Sequence, residues 1–139
     1  DFCLSRGLGD VYKRQVVPIM KEQGYGKLVY ISSGLSHQPM DDFLAHGTSK
    51  SALNAFAKYI AQEFADTGIT SNIVAPGMVD TDATAHTPEE AKTAYANSIP
   101  IHRLAQPEDV AKAVAFYASE DSAYITGSYL PVSGGGEMI

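Results

Sequence analysis

A chain of 139 residues, 45% hydrophobic and 19% charged, has the composition of one globular domain with a moderate core. A formal net charge of −6, with no cluster of Lys or Arg, argues against nucleic acid or an anionic membrane surface as a partner. No apolar run approaches the roughly 20 residues that span a bilayer, and no N-terminal stretch has the form of a secretory signal, so a cytoplasmic protein is expected. The single cysteine, Cys3, cannot form an internal disulfide. His37, His46, His86 and His102 are scattered without zinc-like spacing, so no metal site is expected.

In chain order, residues 1–15 (DFCLSRGLGDVYKRQ) show neither helical nor strand periodicity. Asp10-Val11-Tyr12-Lys13-Arg14-Gln15 is also the in-frame translation of the mosaic-end adaptor used in transposon-based sequencing libraries. Residues 1–15 are therefore expected to be a non-native or disordered leader, with native sequence from near Val16; the alternative is a genuine helix that spells the same hexapeptide. The leader carries three basic and two acidic groups, so residues 16–139 would hold −6 − 1 = −7 and the charge argument stands.

From Val16 to Gln23, apolar residues followed by Lys21, Glu22 and Gly24 predict a helix with a glycine C-cap. Lys27 to Ile31 is a short continuous β-rich run, as expected of a strand buried on both faces. From His46 to about Asp66, apolar residues recur every three and four positions (Leu53, Phe56, Ala57, Ile60, Ala61, Phe64), predicting a long amphipathic helix closed by Gly68. Ile69 to Ala75 reads as a second strand stopped by Pro76-Gly77. The stretch from Asp82 to Arg103 holds a Pro88-led helix with Glu89 and Glu90 in its first turn, and is a candidate lid. Pro107-Glu108-Asp109 opens a further helix, and Ser128 to Val132 a last strand before the Gly134-Gly135-Gly136 turn. Strands alternating with helices imply α/β architecture and a parallel sheet covered on both faces. Three strands are half of a doubly wound nucleotide fold, and nothing here matches the phosphate-binding glycine turn of such a fold.

Five segments in register carry a resemblance. Gly26-Lys27-Leu28-Val29-Tyr30-Ile31-Ser32-Ser33 is followed by Gly47-Thr48-Ser49-Lys50-Ser51-Ala52-Leu53, then Asn72 through Thr81 around Pro76-Gly77, then Arg103 through Asp109, and finally Tyr124-Ile125-Thr126-Gly127. Together they resemble the short-chain dehydrogenase/reductase family from Gly26 to Gly136. The resemblance implies that residues 16–139 are the C-terminal half of a Rossmann-like oxidoreductase domain, truncated at its N-terminus and using NAD or NADP on a small alcohol or ketone. By that resemblance Ser33 holds the substrate oxygen and Lys50 binds the nicotinamide ribose. Pro76, Gly77, Val79 and Thr81 form the turn that holds the nicotinamide end. The family's asparagine on the preceding helix falls about where the leader lies. Family enzymes pair through long helices, which makes a homo-oligomer through the His46–Asp66 helix the expectation, with Tyr59 and Phe64 as interface residues.

The sequence departs from the family at its catalytic tyrosine. Thirteen positions after Ser33 and four before Lys50, where the family has that tyrosine, stands His46. Residues four apart on a helix share a face, so His46 and Lys50 project together. Imidazole has an unperturbed pKa of about 6.5, which makes it a competent base for alcohol oxidation near neutral pH, with a shorter reach than a phenol. Other readings stand beside this one. Ser33 can be a helix N-cap or turn serine, Lys50 a surface lysine, and Thr81 or Asp82 a cap. His37 and His86 read as solvated loop residues, and His102 as solvated or lining a substrate pocket. A non-catalytic oligomer subunit or regulator is the alternative function. A Ser33/His46 hydrolase is disfavoured because the sequence lacks a G-x-S-x-G elbow.

Overall fold

The computed structural model describes residues 8–139, of which 8–14 by backbone alone. Helix α1 (Leu8–Gln23) leads to strand β1 (Gly26–Ile31), helix α2 (Leu44–Phe64), strand β2 (Ile69–Pro76), helices α3 (Glu89–Ser98) and α4 (Pro107–Ala118), and strand β3 (Tyr129–Val132). The three strands form one parallel sheet in the order β1-β2-β3. Register runs from Gly26 opposite Ile69 to Ile31 opposite Val74, and from Ile73 opposite Tyr129 to Pro76 opposite Val132. Every crossover carries a helix, as parallel strands require.

The lateral order corrects one expectation. Full burial belongs to β2, where Ile69, Ile73, Val74 and Ala75 are at most 1% exposed, and not to β1, whose Ile31 is 43% exposed. Only β2 has a strand on each side, while β1 is an edge strand among the described residues. A run of apolar residues reports that a strand is apolar, not which neighbours flank it.

Along β2 the side chains alternate between two helical layers. Ser71 donates its hydroxyl to the Ala57 carbonyl of α2 at 2.7 Å, so that face belongs to α2. On the other side the buried Asn72 donates to the Ile125 carbonyl at 2.8 Å and accepts from the Ser128 hydroxyl, which also meets Tyr117 of α4 at 2.6 Å. A core cluster of Val17, Ile60, Phe64 and Ile69, flanked by Met20, Leu28 and Phe56, joins α1 and α2 to the sheet.

Helix α1 begins at Leu8, where periodicity predicted a start at Val16; residues 1–7 of the expected leader, Cys3 included, lie outside the described residues. Helix α2 starts two residues before His46 and ends at Phe64, after which a 3-10 turn (Ala65–Thr67) leads to Gly68 at φ +79°. Its inner face corrects the interface expectation. Phe64 is 7% exposed and sits in the core, whereas Tyr59 is 75% exposed.

Candidate active site

Parallel strands bring their C-terminal ends to one edge of the sheet, where a doubly wound fold places its ligands. Ser32 and Ser33 follow β1 there, Pro76 ends β2 with Gly77 after it, and Ser133 follows β3. The Ser32 N–H donates to Val74 O at 2.8 Å, which carries the pairing one residue beyond the strand. Its side chain is buried, with no partner for the hydroxyl among the described residues.

Ser33 takes the capping role and keeps a free proton. It is the N-cap of a 3-10 turn, Gly34–Ser36, and its hydroxyl oxygen accepts from the Leu35 N–H at 3.3 Å, which leaves its own hydrogen to donate. Helix α2 lies across this turn. An added Cβ at Gly47 would stand 2.7 Å from the Leu35 carbonyl, so glycine permits the close approach. Lys50 Nζ donates to Ile31 O at 2.8 Å, Ser51 Oγ to Ser36 O at 2.7 Å, and Asn54 Nδ2 to Ser36 Oγ at 2.8 Å. Gly47, Lys50, Ser51 and Asn54 are spaced i, i+3, i+4 and i+7, so one face of α2 is given over to the serine turn. Lys50 is accordingly tied to the end of β1 and is not a free surface lysine. One turn earlier on the same helix, His46 is exposed, its ring edge-on to Phe43 with centroids 6.4 Å apart.

The turn after β2 is braced by residues the sequence reading did not single out. Gly77 N–H donates to Val132 O at 3.0 Å, and Met78 N–H to the Tyr95 hydroxyl at 3.1 Å. Val79 bridges to Ala105, and its carbonyl accepts from Thr84 Oγ1 at 2.7 Å. Thr81 is exposed and is the N-cap of the 3-10 turn Asp82–Thr84, its N–H donating to Thr84 Oγ1 at 3.0 Å. A cavity of about 240 Å³ opens beside Gly77 and Met78, between Tyr95, Ile99, Arg103 and Gly134. Ser33, His46, Lys50 and His102 are not among its lining residues. His102 sits exposed at φ +56°, in keeping with its reading as a solvated loop residue.

His37 has a partner that the sequence did not announce. Read as a solvated loop histidine, it is indeed exposed, but it also places Nδ1 2.9 Å from Oε1 of Glu137, a carboxylate with only 2% of its side chain exposed. Tyr129, at the start of β3, reaches the same carboxylate at 2.9 and 3.0 Å. Burial, with the neighbouring carboxylate adding to it, pushes the Tyr129 phenol up to about 12. Near neutral pH it is a proton donor. These partners lie up to 100 positions apart, and no local pattern announces them.

Residues 9–137 match the family profile described as enoyl-(acyl carrier protein) reductase. A 7alpha-hydroxysteroid dehydrogenase of Paraclostridium sordellii is 41% identical over 132 residues, covering 92% of this chain and 49% of that protein. A 3-oxoacyl-(acyl-carrier-protein) reductase of Pseudomonas aeruginosa is 34% identical over 134 residues, covering 95% and 54%. Among solved structures, a 3-oxoacyl-(acyl-carrier protein) reductase from Brucella melitensis superposes with a TM-score of 0.89 at 29% identity, covering 94% of this chain and 49% of that one. A gluconate 5-dehydrogenase-like protein from Beutenbergia cavernae, solved with bound NADP, gives 0.85 at 36% identity, covering 91% and 52%. The sheet, the serine turn and these matches define an α/β oxidoreductase fold of the Rossmann type. The chain belongs to the short-chain dehydrogenase/reductase family. It spans about half the length of the curated relatives it matches.

Proposed function

We propose that this chain carries the catalytic half of an NAD(P)-dependent oxidoreductase that moves a hydride between a nicotinamide and a small alcohol or ketone. The observation that carries the reading is Lys50, held by the Ile31 carbonyl on the same helix face as Gly47 and Asn54, against the turn of Ser33. The Lys50 ammonium gives one hydrogen to Ile31 and keeps others for ribose hydroxyls, and the Ser33 hydroxyl keeps its proton, so these residues fit the nicotinamide-ribose end of the cofactor. Pro76, Gly77, Val79 and Thr81 would hold the nicotinamide itself. Nothing in the chain resembles the glycine turn that grips pyrophosphate, so that grip is assigned to sequence outside it.

The nicotinamide, when bound, accepts or supplies the hydride. In oxidation, Ser33 donates a hydrogen bond to the substrate oxygen and His46 takes the hydroxyl proton as that oxygen becomes a carbonyl; in reduction the proton returns from His46. The test is turnover of the parent protein, spanning the length of its relatives, with secondary alcohols and with ketones. His46→Ala should abolish turnover while leaving cofactor affinity within a few fold, and His46→Tyr should retain or raise it. A parent inactive both as isolated and after His46→Tyr would instead favour a non-catalytic subunit. That second reading draws on the exposed Leu44 (84%) and Tyr59 (75%) of α2, which also make this helix the proposed contact of a homo-oligomer.

A further inference from the structure

We propose that Glu137 is the positioning residue of the serine turn: its buried carboxylate ends a directed chain of hydrogen bonds that holds residues 33–37 between helix α2 and the C-terminal segment.

The direction follows from the chemistry of the two ends. The Asn54 amide nitrogen can only donate, and it donates to Ser36 Oγ at 2.8 Å. Ser36 passes its own hydrogen to the Tyr129 oxygen, 3.3 Å away. The Tyr129 hydrogen goes chiefly to Glu137, whose two oxygens at 2.9 and 3.0 Å outcompete the Ser33 carbonyl at 3.2 Å, because bonds to a charged acceptor are the stronger. A carboxylate accepts only, so His37 Nδ1, 2.9 Å from Oε1, carries a hydrogen. The ring of His37 stands edge-on to Tyr129 with centroids 4.5 Å apart.

Two further contacts seat the carboxylate. The Glu137 N–H donates to Ser133 Oγ at 3.0 Å, which anchors its backbone to the end of β3. A Cβ at Gly34, the residue after Ser33, would stand 3.1 Å from Glu137 Oε2, so the carboxylate lies directly against the turn. Removing the acceptor leaves Tyr129 with only the weaker Ser33 carbonyl at 3.2 Å and releases the exposed His37 to solvent, so the turn loses the arm that holds it opposite α2.

The importance of the turn rests on the proposed role of Ser33, but its placement is measurable without turnover. In amide hydrogen exchange on the 139-residue chain, Glu137→Gln keeps the volume and turns one acceptor into a donor. The Ser36 and His37 amides, bonded to Ser33 O and Gly34 O, should then exchange roughly tenfold faster or more. The Ile73 amide of β2, bonded to Ser128 O, should not change. Nitrogen NMR should show the Nδ1-bound hydrogen of His37 in the wild type and its loss in the variant. Unchanged turn amides overturn the proposal. So does acceleration of the turn and β2 in step, which would make Glu137 a general stabiliser. Should Glu137→Gln fail to fold, Tyr129→Phe removes only the hydroxyl and must give the same confined loss. Failure of hydride transfer in the parent leaves these rates untouched, so the two readings fall separately.

Discussion

Two glycines with the same handedness but different surroundings separate backbone strain from steric strain. Gly24 (φ +65°) and Gly68 (φ +79°) both lie in the left-handed region. An alanine Cβ at Gly24 would meet nothing within 4 Å, whereas at Gly68 it would collide with the Gly24 carbonyl oxygen. Gly24→Ala should therefore cost only the left-handed penalty, about 1 kcal/mol after the gain from a stiffer unfolded chain. Gly68→Ala adds a backbone collision comparable to overpacking, for a total of about 2–4 kcal/mol. The difference has a structural meaning, because Gly26 N–H donates to Gly68 O at 3.2 Å just where the pairing of β1 with β2 begins. Urea unfolding of the two variants beside the wild type measures both losses. Equal losses would refute the close approach of the two turns; a larger loss at Gly24 would refute the whole comparison.

Ile60, 1% exposed in the core cluster, should cost about 2–5 kcal/mol on truncation to alanine, read by the same unfolding curves. Asp109 is held down to about 2 by Arg103, at 2.7 and 3.2 Å, and by the Gln106 N–H. Its folded value lies below the unfolded 3.8, so its contribution is complete above that value and is lost as pH falls toward about 2. The melting-temperature gap between wild type and Asp109→Asn should close over that window, and a gap constant with pH would contradict the pairing. Calorimetry with NADPH should find negligible binding to this chain alone, since the phosphate turn supplies much of the usual affinity; tight stoichiometric binding would place the pyrophosphate grip within these residues.

Much of the fold was legible because it is written between near neighbours. Apolar residues three and four apart marked α2, the β-rich runs marked β1 and β2, and Gly24, Gly68 and Gly134-Gly135 marked turns that take positive φ. His46 and Lys50 were expected one turn apart on a helix, and both lie on α2, while the roles given to them and to Ser33 came from the family resemblance. None of these inferences needs a partner from far away.

What the sequence by itself determined was the alternation of helix and strand and the residue types at the ends of the strands. The tertiary structure alone decided that β2 and not β1 fills the centre, that Phe64 points inward, and that His37 meets Glu137. It also decided that Ser33 caps a turn braced from two sides. Lateral strand order and contacts 50 to 100 positions apart depend on how whole elements stack, with each buried polar group finding its partner only once the layers close. Local periodicity carries no record of that closure.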